Sequence, residues 1–164
     1  MKDTNNVRIG TPRGARLDAI DRKLLGLLAS DATQSYAVLG ELLHLSAPAV
    51  HERVKQLKIR GVIRSTVALL DGAKIGRPLL AFIEVDTRSW AKTRHVISLA
   101  ELPEIEEIHT ITGASAVLLK VRTRDTQSLE DLLARIHSIE GIDGTRSHIA
   151  LSTYLERGPV PQLE

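Results

Sequence analysis

Apolar residues recur at helical spacing from Leu17 onward: Leu17, Ile20, Leu24, Leu27 and Leu28. They predict a helix over 17–30, with Asp18 as its N-cap and Asp21 in the first turn, where negative charge suits the helix dipole. Ser35 opens a second, shorter helix with Leu39, Leu42 and Leu43 on its buried stripe, and this helix stops near His44. Ser46 opens a third, with Pro48 in its first turn, where a missing N–H costs little. Val50, Val54 and Leu57 lie at i, i+4 and i+7 and face inward, and Gly61 marks the end, a natural left-handed position. Val62 to Leu70 is β-rich, and Asp71-Gly72 makes a turn. Three short helices, a tight turn between the last two and a strand pair form the pattern of a winged helix-turn-helix.

The period changes in the second half. Leu79–Val85 is a compact apolar strand, and 89–99 is helical, with Trp90, Val96 and Ile97 as buried candidates. Leu102-Pro103-Glu104 breaks that helix. Ile105–Ile111 is a strand, Thr112-Gly113 a turn, and Ala116–Arg122 another strand. Asp125 caps a helix with Leu129, Leu132, Leu133, Ile136 and Ile139 on one face. Gly141 and Gly144 bracket a turn, and Thr145–Leu155 alternates as the last strand. The order βαββαβ predicts a ferredoxin-like domain, so the fold class is α+β. The expected domains are a flexible tail at 1–16, a helix-turn-helix at 17–64, a hinge strand at 65–78, the ferredoxin-like domain at 79–155 and a tail at 156–164.

Charge divides along the same line. Residues 1–64 hold eleven Lys/Arg and six Asp/Glu, net +5, while the remaining 100 carry net −3 within an overall +2. The front half suits a polyanion and the back half does not. With aromatics at 2 %, recognition of single-stranded nucleic acid on stacked rings is disfavoured. The absence of cysteine removes disulfides, thiolate metal sites and thiol chemistry. His44, His51, His95, His109, His137 and His148 show no closely paired ligand spacing, so no metal is expected. Glu106 and Glu107 are adjacent on a strand, which directs them to opposite faces rather than to a shared acid/base site. No nucleophile–base pair or phosphate loop occurs, so neither catalysis nor a cofactor is expected. No apolar run approaches membrane-spanning length and no signal-peptide core precedes the first helix, so a cytoplasmic chain is expected.

The stretches LDAIDRKLL, HLSAPAVHERVKQLKIRGVI, LPEIEEIHTITGASAVLLKV and IEGIDGTRSHIAL, in this order and spacing, resemble the Lrp/AsnC (leucine-responsive, feast/famine) family of transcription regulators. The resemblance spans 17–155. It implies a DNA-binding helix-turn-helix, a hinge strand, and a ferredoxin-like domain that dimerises and senses an amino acid between dimers. Three positions depart from the family's usual pattern. Val38 stands in place of a capping-box Glu, His44 in place of the turn Gly, and Ala116 in place of an acid three residues beyond Gly113.

Candidate contacts follow from the helical wheel of the third helix. With Val50, Val54 and Leu57 inward, Pro48, His51, Lys55 and Lys58 share one exposed flank, with Ser46 and Ala47 at the helix start. Lys55 suits a phosphate or a guanine edge, His51 a purine edge, Glu52 cytosine N4, and the Ala47 methyl a thymine methyl. Ser35 and Tyr36 open the helix that crosses the DNA backbone in this motif. Arg60 and Arg64 flank the turn beyond, and Arg8, Arg13 and Arg16 add nonspecific attraction. For the effector, the resemblance points to the turn Thr112, Gly113, Ala114, Ser115 and Ala116. Without an acid at 116, a ligand ammonium needs a carboxylate from elsewhere, with Glu104 and Glu107 nearby in sequence. A weakly held amino acid, a different metabolite and no effector all stay open. The expected function is a sequence-specific DNA-binding regulator acting on duplex DNA as a homodimer that assembles to tetramers or octamers. The alternative is a ligand-sensing ferredoxin-like module whose front half docks on protein. The basic flank His51, Lys55, Lys58 speaks against it, since a docking face would be apolar there.

Overall fold

The structure is a computed structural model that describes residues 16–88 and 94–161. These residues form two units, one of 16–69 with 155–161 and one of 70–154. Within the first unit lie α1 (Ala19–Ser30), α2 (Tyr36–Leu43) and α3 (Ala47–Ile59). Each starts where a side-chain oxygen satisfies an orphan N–H: Asp18 accepts from Asp21 N, Ser35 from Val38 N, and Ser46 from Ala49 N. Leu24, Leu39, Leu43, Val50, Val54 and Leu57 form the core of this unit. Leu42 faces solvent instead, at 56 % exposure, although it was expected on the inward stripe of α2.

The α2–α3 turn depends on two residues. His44 takes the left-handed conformation (φ 55°, ψ 44°) that the turn requires, which an imidazole tolerates better than a β-branched side chain. The second residue is Gly40, buried on α2. Leu45 N donates to its carbonyl at 2.8 Å, and a Cβ at Gly40 would lie 2.5 Å from the Leu45 carbonyl oxygen. The absence of a side chain there lets α3 turn back this tightly.

The expected strand at Val62–Leu70 is not formed. Residues 64–70 carry no regular structure, and Val67, Leu69 and Leu70 are 80 %, 78 % and 64 % exposed. Strand preference is largely a preference for neighbours, and among the described residues no strand pairs with this segment. The helix-turn-helix therefore lacks the anticipated wing within one copy. The Asp71-Gly72 turn does form, with Ala73 N and Lys74 N donating to Asp71 Oδ1 at 3.0 and 3.3 Å.

The second unit is a four-stranded antiparallel sheet of β1 (Leu79–Thr87), β2 (Ile105–Thr110), β3 (Val117–Thr123) and β4 (Ile142–Ile149), in the order β2-β3-β1-β4. One face carries Ala81, Ile83, Val85, Val117, Leu119 and Val121, packed under α4 (Thr126–His137) and a 3₁₀ helix (Arg94–Glu101). The segment expected as an α-helix over 89–99 is thus 3₁₀ where it is described; Trp90 lies outside the described residues. Three residues per turn place Val96, Leu99 and Leu102 against the core at i, i+3 and i+6, and leave Ile97, expected to be buried, 38 % exposed. The last strand stops at Ile149 rather than Leu155. Its ladder with β1 ends at Ile149 opposite Ala81, followed only by Ala150 N donating to Leu80 O one residue short of the start of β1. Among the described residues no helix is long and apolar enough to cross a membrane.

Asp125 caps α4 as expected, accepting from the Ser128 N–H and hydroxyl, both at 2.7 Å. These two bonds, with Arg124 beside them, lower its pKa to about 2. The carboxylate therefore stabilises the folded unit fully above its unfolded pKa of about 4, and this contribution fades as pH falls through about 2. Asp125→Asn keeps a cap acceptor but not the charge. The melting-temperature gap between wild type and this variant is expected to be open at neutral pH and to close as pH drops toward 2, measured by circular dichroism.

Candidate DNA-binding and effector sites

The third helix presents two basic flanks separated by its buried seam. On one, Pro48, His51, Glu52, Lys55 and Lys58 are all exposed, with Ser46 exposed and Ala47 half-buried at the helix start. The His51 ring lies 5.4 Å from that of Tyr36, tilted by 54°, which ties the start of α2 to α3. Glu52 accepts from Gln56 Nε2 at 2.8 Å and sits 3.8 Å from Lys55 Nζ. The Gln56 hydrogen bond first, then Lys55, holds its pKa below the usual carboxylate value. Lys55 stays more than half exposed beside it. The Ser35 and Ser46 hydroxyls serve as caps and remain at the surface.

The other flank is engaged internally. Arg53 Nη1 donates to Asp18 Oδ2 and to Asp21 Oδ1, both at 2.8 Å. Arg60 Nη1 lies 3.7 Å from Asp21 Oδ2, and Arg60 Nη2 donates to the Arg16 carbonyl. Asp21 is 6 % exposed. Arg60, a candidate phosphate contact by sequence, is thus held against α1, while Arg64 is exposed. Arg53 did not emerge from the sequence. Its signal was its place on the wheel, beside the inward residues rather than on the outer flank. Arg8 and Arg13 lie outside the described residues.

In the sheet unit, Gly113 takes φ +120°, a conformation that only glycine adopts freely. Ile111 N donates to Ala116 O at 3.0 Å, closing the turn. Thr112, Gly113 and Ala114 are exposed and Ala116 packs toward the core. Ser115 is 4 % exposed; its hydroxyl donates to Glu84 Oε2 at 2.8 Å and accepts from Arg146 Nη2. Arg146 also reaches Glu84 at 3.0 Å and Asp86 at 3.1 Å. The Ser115 bond first, then Arg146, holds the Glu84 pKa below the usual carboxylate value. The acid bonded to this turn is therefore Glu84 from β1. Glu104 instead pairs with Arg135 at 3.0 Å and Glu107 with His109 at 2.7 Å. Glu106 and Glu107 do not diverge as expected. A register shift between Ile105 and Glu107 lets both approach Lys120 Nζ, at 3.3 and 3.5 Å. Among the described residues no group of three or more His, Asp or Glu is placed to hold a metal ion.

A three-helix unit with an exposed basic helix flank, followed by a ferredoxin-like sheet, defines the class of proteins that join a helix-turn-helix to a second, ferredoxin-like domain. The family models agree on both halves: an AsnC-type helix-turn-helix domain matches residues 17–58, and an Lrp/AsnC ligand binding domain matches 80–160. The chain belongs to the Lrp/AsnC family. It is 32 % identical over 145 residues to the HTH-type transcriptional regulator FL11 of Pyrococcus horikoshii, covering 88 % of this chain and 96 % of that one. Among solved structures, it resembles Escherichia coli AsnC (TM-score 0.82, 26 % identity, 90 % and 100 % of the two chains). It also resembles the feast or famine regulatory protein of M. tuberculosis complexed with L-methionine (TM-score 0.83, 32 % identity, 89 % and 100 %). The chain is thus a sequence-specific DNA-binding transcriptional regulator and not an enzyme, and the alternative of a protein-docking front half gives way.

Proposed function

We propose that this regulator reads duplex DNA with the flank of α3 formed by His51, Lys55 and Lys58, aided by Ser46, Ala47, Pro48 and Glu52 at the helix start and by Ser35 and Tyr36 on the backbone. The carrying observation is that this flank is exposed while the helix's other cations, Arg53 and Arg60, are occupied by Asp18 and Asp21. Arg64 adds a phosphate contact; Arg60 does not. Lys55→Ala is expected to weaken binding to a duplex selected from random sequence. If Lys55 meets a phosphate, the slope of log K against log salt should fall by roughly 0.9; if it reads guanine, about 1–3 kcal/mol is lost at one base position. Fluorescence anisotropy across a salt series separates the two, and unchanged binding by a folded variant would remove α3 as the reader.

The same reading extends to assembly. The sheet face opposite the core carries Phe82 and Leu118 beside Glu84, Lys120, Arg146 and His148. Apolar area with both signs of charge suits a second copy of this chain across a two-fold axis. The second copy supplies the second recognition helix for a half-site one helical turn away. Dimers then associate into tetramers or octamers.

The Thr112–Ala116 turn is proposed as the effector site, for an amino acid or a related small carboxylate. The relative solved with L-methionine supports the ligand class. Backbone N–H groups of an exposed turn suit a carboxylate, and Glu84, paired with Arg146, is the acid nearest to meet a ligand ammonium through its bond to Ser115. A thermal-shift screen of the common amino acids is expected to raise the melting temperature of wild type and not of Gly113→Val, which forces a β-branched residue into φ +120°. A response that survives the substitution would place the site elsewhere.

A further inference from the structure

The ion pairs that tie α3 to α1 lie across the buried seam from its exposed basic flank. Along α3, Arg53 and Arg60 fall to one side of the Val50–Val54–Leu57 seam, and His51, Lys55 and Lys58 to the other. The Asp18 carboxylate does two things at once: Oδ1 caps α1 by accepting from Asp21 N at 2.6 Å, and Oδ2 accepts from Arg53 at 2.8 Å. Arg53 Nη1 also reaches Asp21 Oδ1, and Asp21 Oδ2 faces Arg60. The Asp18 hydrogen bond first, then that of Asp21, raises the Arg53 pKa above its ordinary value. The cap bond from the Asp21 N–H first, then Arg53, lowers that of Asp18.

We propose that Arg53 is a positioning residue for DNA recognition: its bridge to Asp18 and Asp21 sets the rotation of α3 about its own axis, and so aims the His51–Lys55–Lys58 flank at the major groove. Apolar packing alone specifies this rotation poorly. The seam consists of three aliphatic side chains, Val50, Val54 and Leu57, which tolerate small rolls. A guanidinium held by two carboxylates tolerates them far less, because its donors have fixed directions. The arrangement also keeps two arginines off the phosphates. Contact charge is thereby confined to one flank, where it helps orient the protein on the duplex rather than merely holding it there.

The inference rests on α3 being the reading helix, and the experiment keeps the two apart. Full-length Arg53→Lys, Arg53→Met and Asp18→Asn are compared with wild type and with Lys55→Ala, on a duplex selected by the wild type and on a random duplex, over a salt series. Asp18→Asn preserves the cap while removing the charge that faces Arg53. Each Arg53 and Asp18 variant is expected to lose roughly ten-fold in affinity for the selected duplex, about the cost of one misread base pair. Affinity for the random duplex and the salt slope should stay as in wild type. A merely structural role would lower binding to both duplexes together, and a phosphate contact would lower the slope by about 0.9. Either result, or wild-type discrimination in folded Arg53→Lys and Asp18→Asn, overturns the proposal. If Arg53→Met does not fold, the other two variants carry the same readouts. Lys55→Ala acts as the independent check: unchanged binding there would overturn α3 as the reader, whatever Arg53 does.

Discussion

Gly40→Val is expected to abolish DNA binding while leaving the sheet unit folded. A Cβ at this position would lie 2.5 Å from the Leu45 carbonyl oxygen, 3.5 Å from its carbon and 3.6 Å from Ala47 N. These are main-chain atoms of the turn itself, so no rotamer change relieves the contact. Valine adds two methyl groups and a χ1 restriction within a helix. Relief would have to come from moving α3 away from α2, and that breaks the packing of Leu39 and Leu43 against Val50 and Val54. Overpacking of this kind costs about 1–3 kcal/mol, and more where main-chain atoms must move, a large share of the stability of so small a unit. Hydrogen exchange on the full chain should show lost protection in α2 and α3 and intact protection in β1 and β3. Wild-type DNA binding by this variant would mean that the turn is looser than described.

The second large effect is expected in the other unit. Leu132 is fully buried and sits on α4 between Leu129 and Ile136, against the central strands. Leu132→Ala removes three carbons from an aliphatic core and leaves a void lined by residues fixed in a sheet, which can collapse only partly. The cost is about 2–5 kcal/mol. Because the proposed dimer is built on the opposite face of this sheet, the variant is expected to lower the melting temperature and to shift light scattering toward monomer. DNA affinity should fall with it, since two half-sites are no longer bound by one particle. A destabilised variant that keeps its particle mass and its affinity would separate assembly from the sheet.

The parts of this fold that were legible in the sequence are those decided locally. Asp18, Ser35, Ser46 and Asp125 cap the helices they were expected to cap, because a cap needs only its own first turn. Gly61 and Gly113 have the positive φ their turns require, and His44 fills the left-handed position despite being a poorer choice than glycine. What failed depended on partners. The β-rich run at Val62–Leu70 has the composition of a strand and, among the described residues, no strand to pair with. The last strand ends where its ladder to β1 ends, at Ile149 opposite Ala81, not where its alternation does. The opposed directions of Glu106 and Glu107 were undone by a single register shift.

The site shows the same division. The exposed flank of α3 could be read from one helical wheel, since it depends only on which three residues face inward. The Arg53–Asp18–Asp21 bridge could not, because its partners lie 35 and 32 residues away in sequence. The tether of Arg60 to Asp21 was not legible either, since a surface arginine and a tethered arginine look alike in a sequence. At the Thr112–Ala116 turn, the absence of an acid at 116 was visible, but the acid that bonds the turn comes from a strand 31 residues earlier, Glu84 held by Ser115. Gly40 could have been found: a glycine inside a short helix, five residues before the next helix's approach, carries a stability cost that needs a packing reason.

The most direct test of the central claim uses the absence of cysteine from the chain. A single Gln56→Cys substitution, at an exposed position of α3, is labelled with a DNA-cleaving iron chelate, and Gln127→Cys on α4, also exposed, serves as the comparison. Each labelled protein is bound to a duplex selected by the wild type, and the cuts are mapped on both strands. Recognition by α3 of a two-fold assembly predicts cleavage from position 56 at two major-groove sites about one helical turn apart, a pattern that position 127 does not reproduce. A bound duplex that is cut only from position 127, or left uncut from position 56, would contradict it.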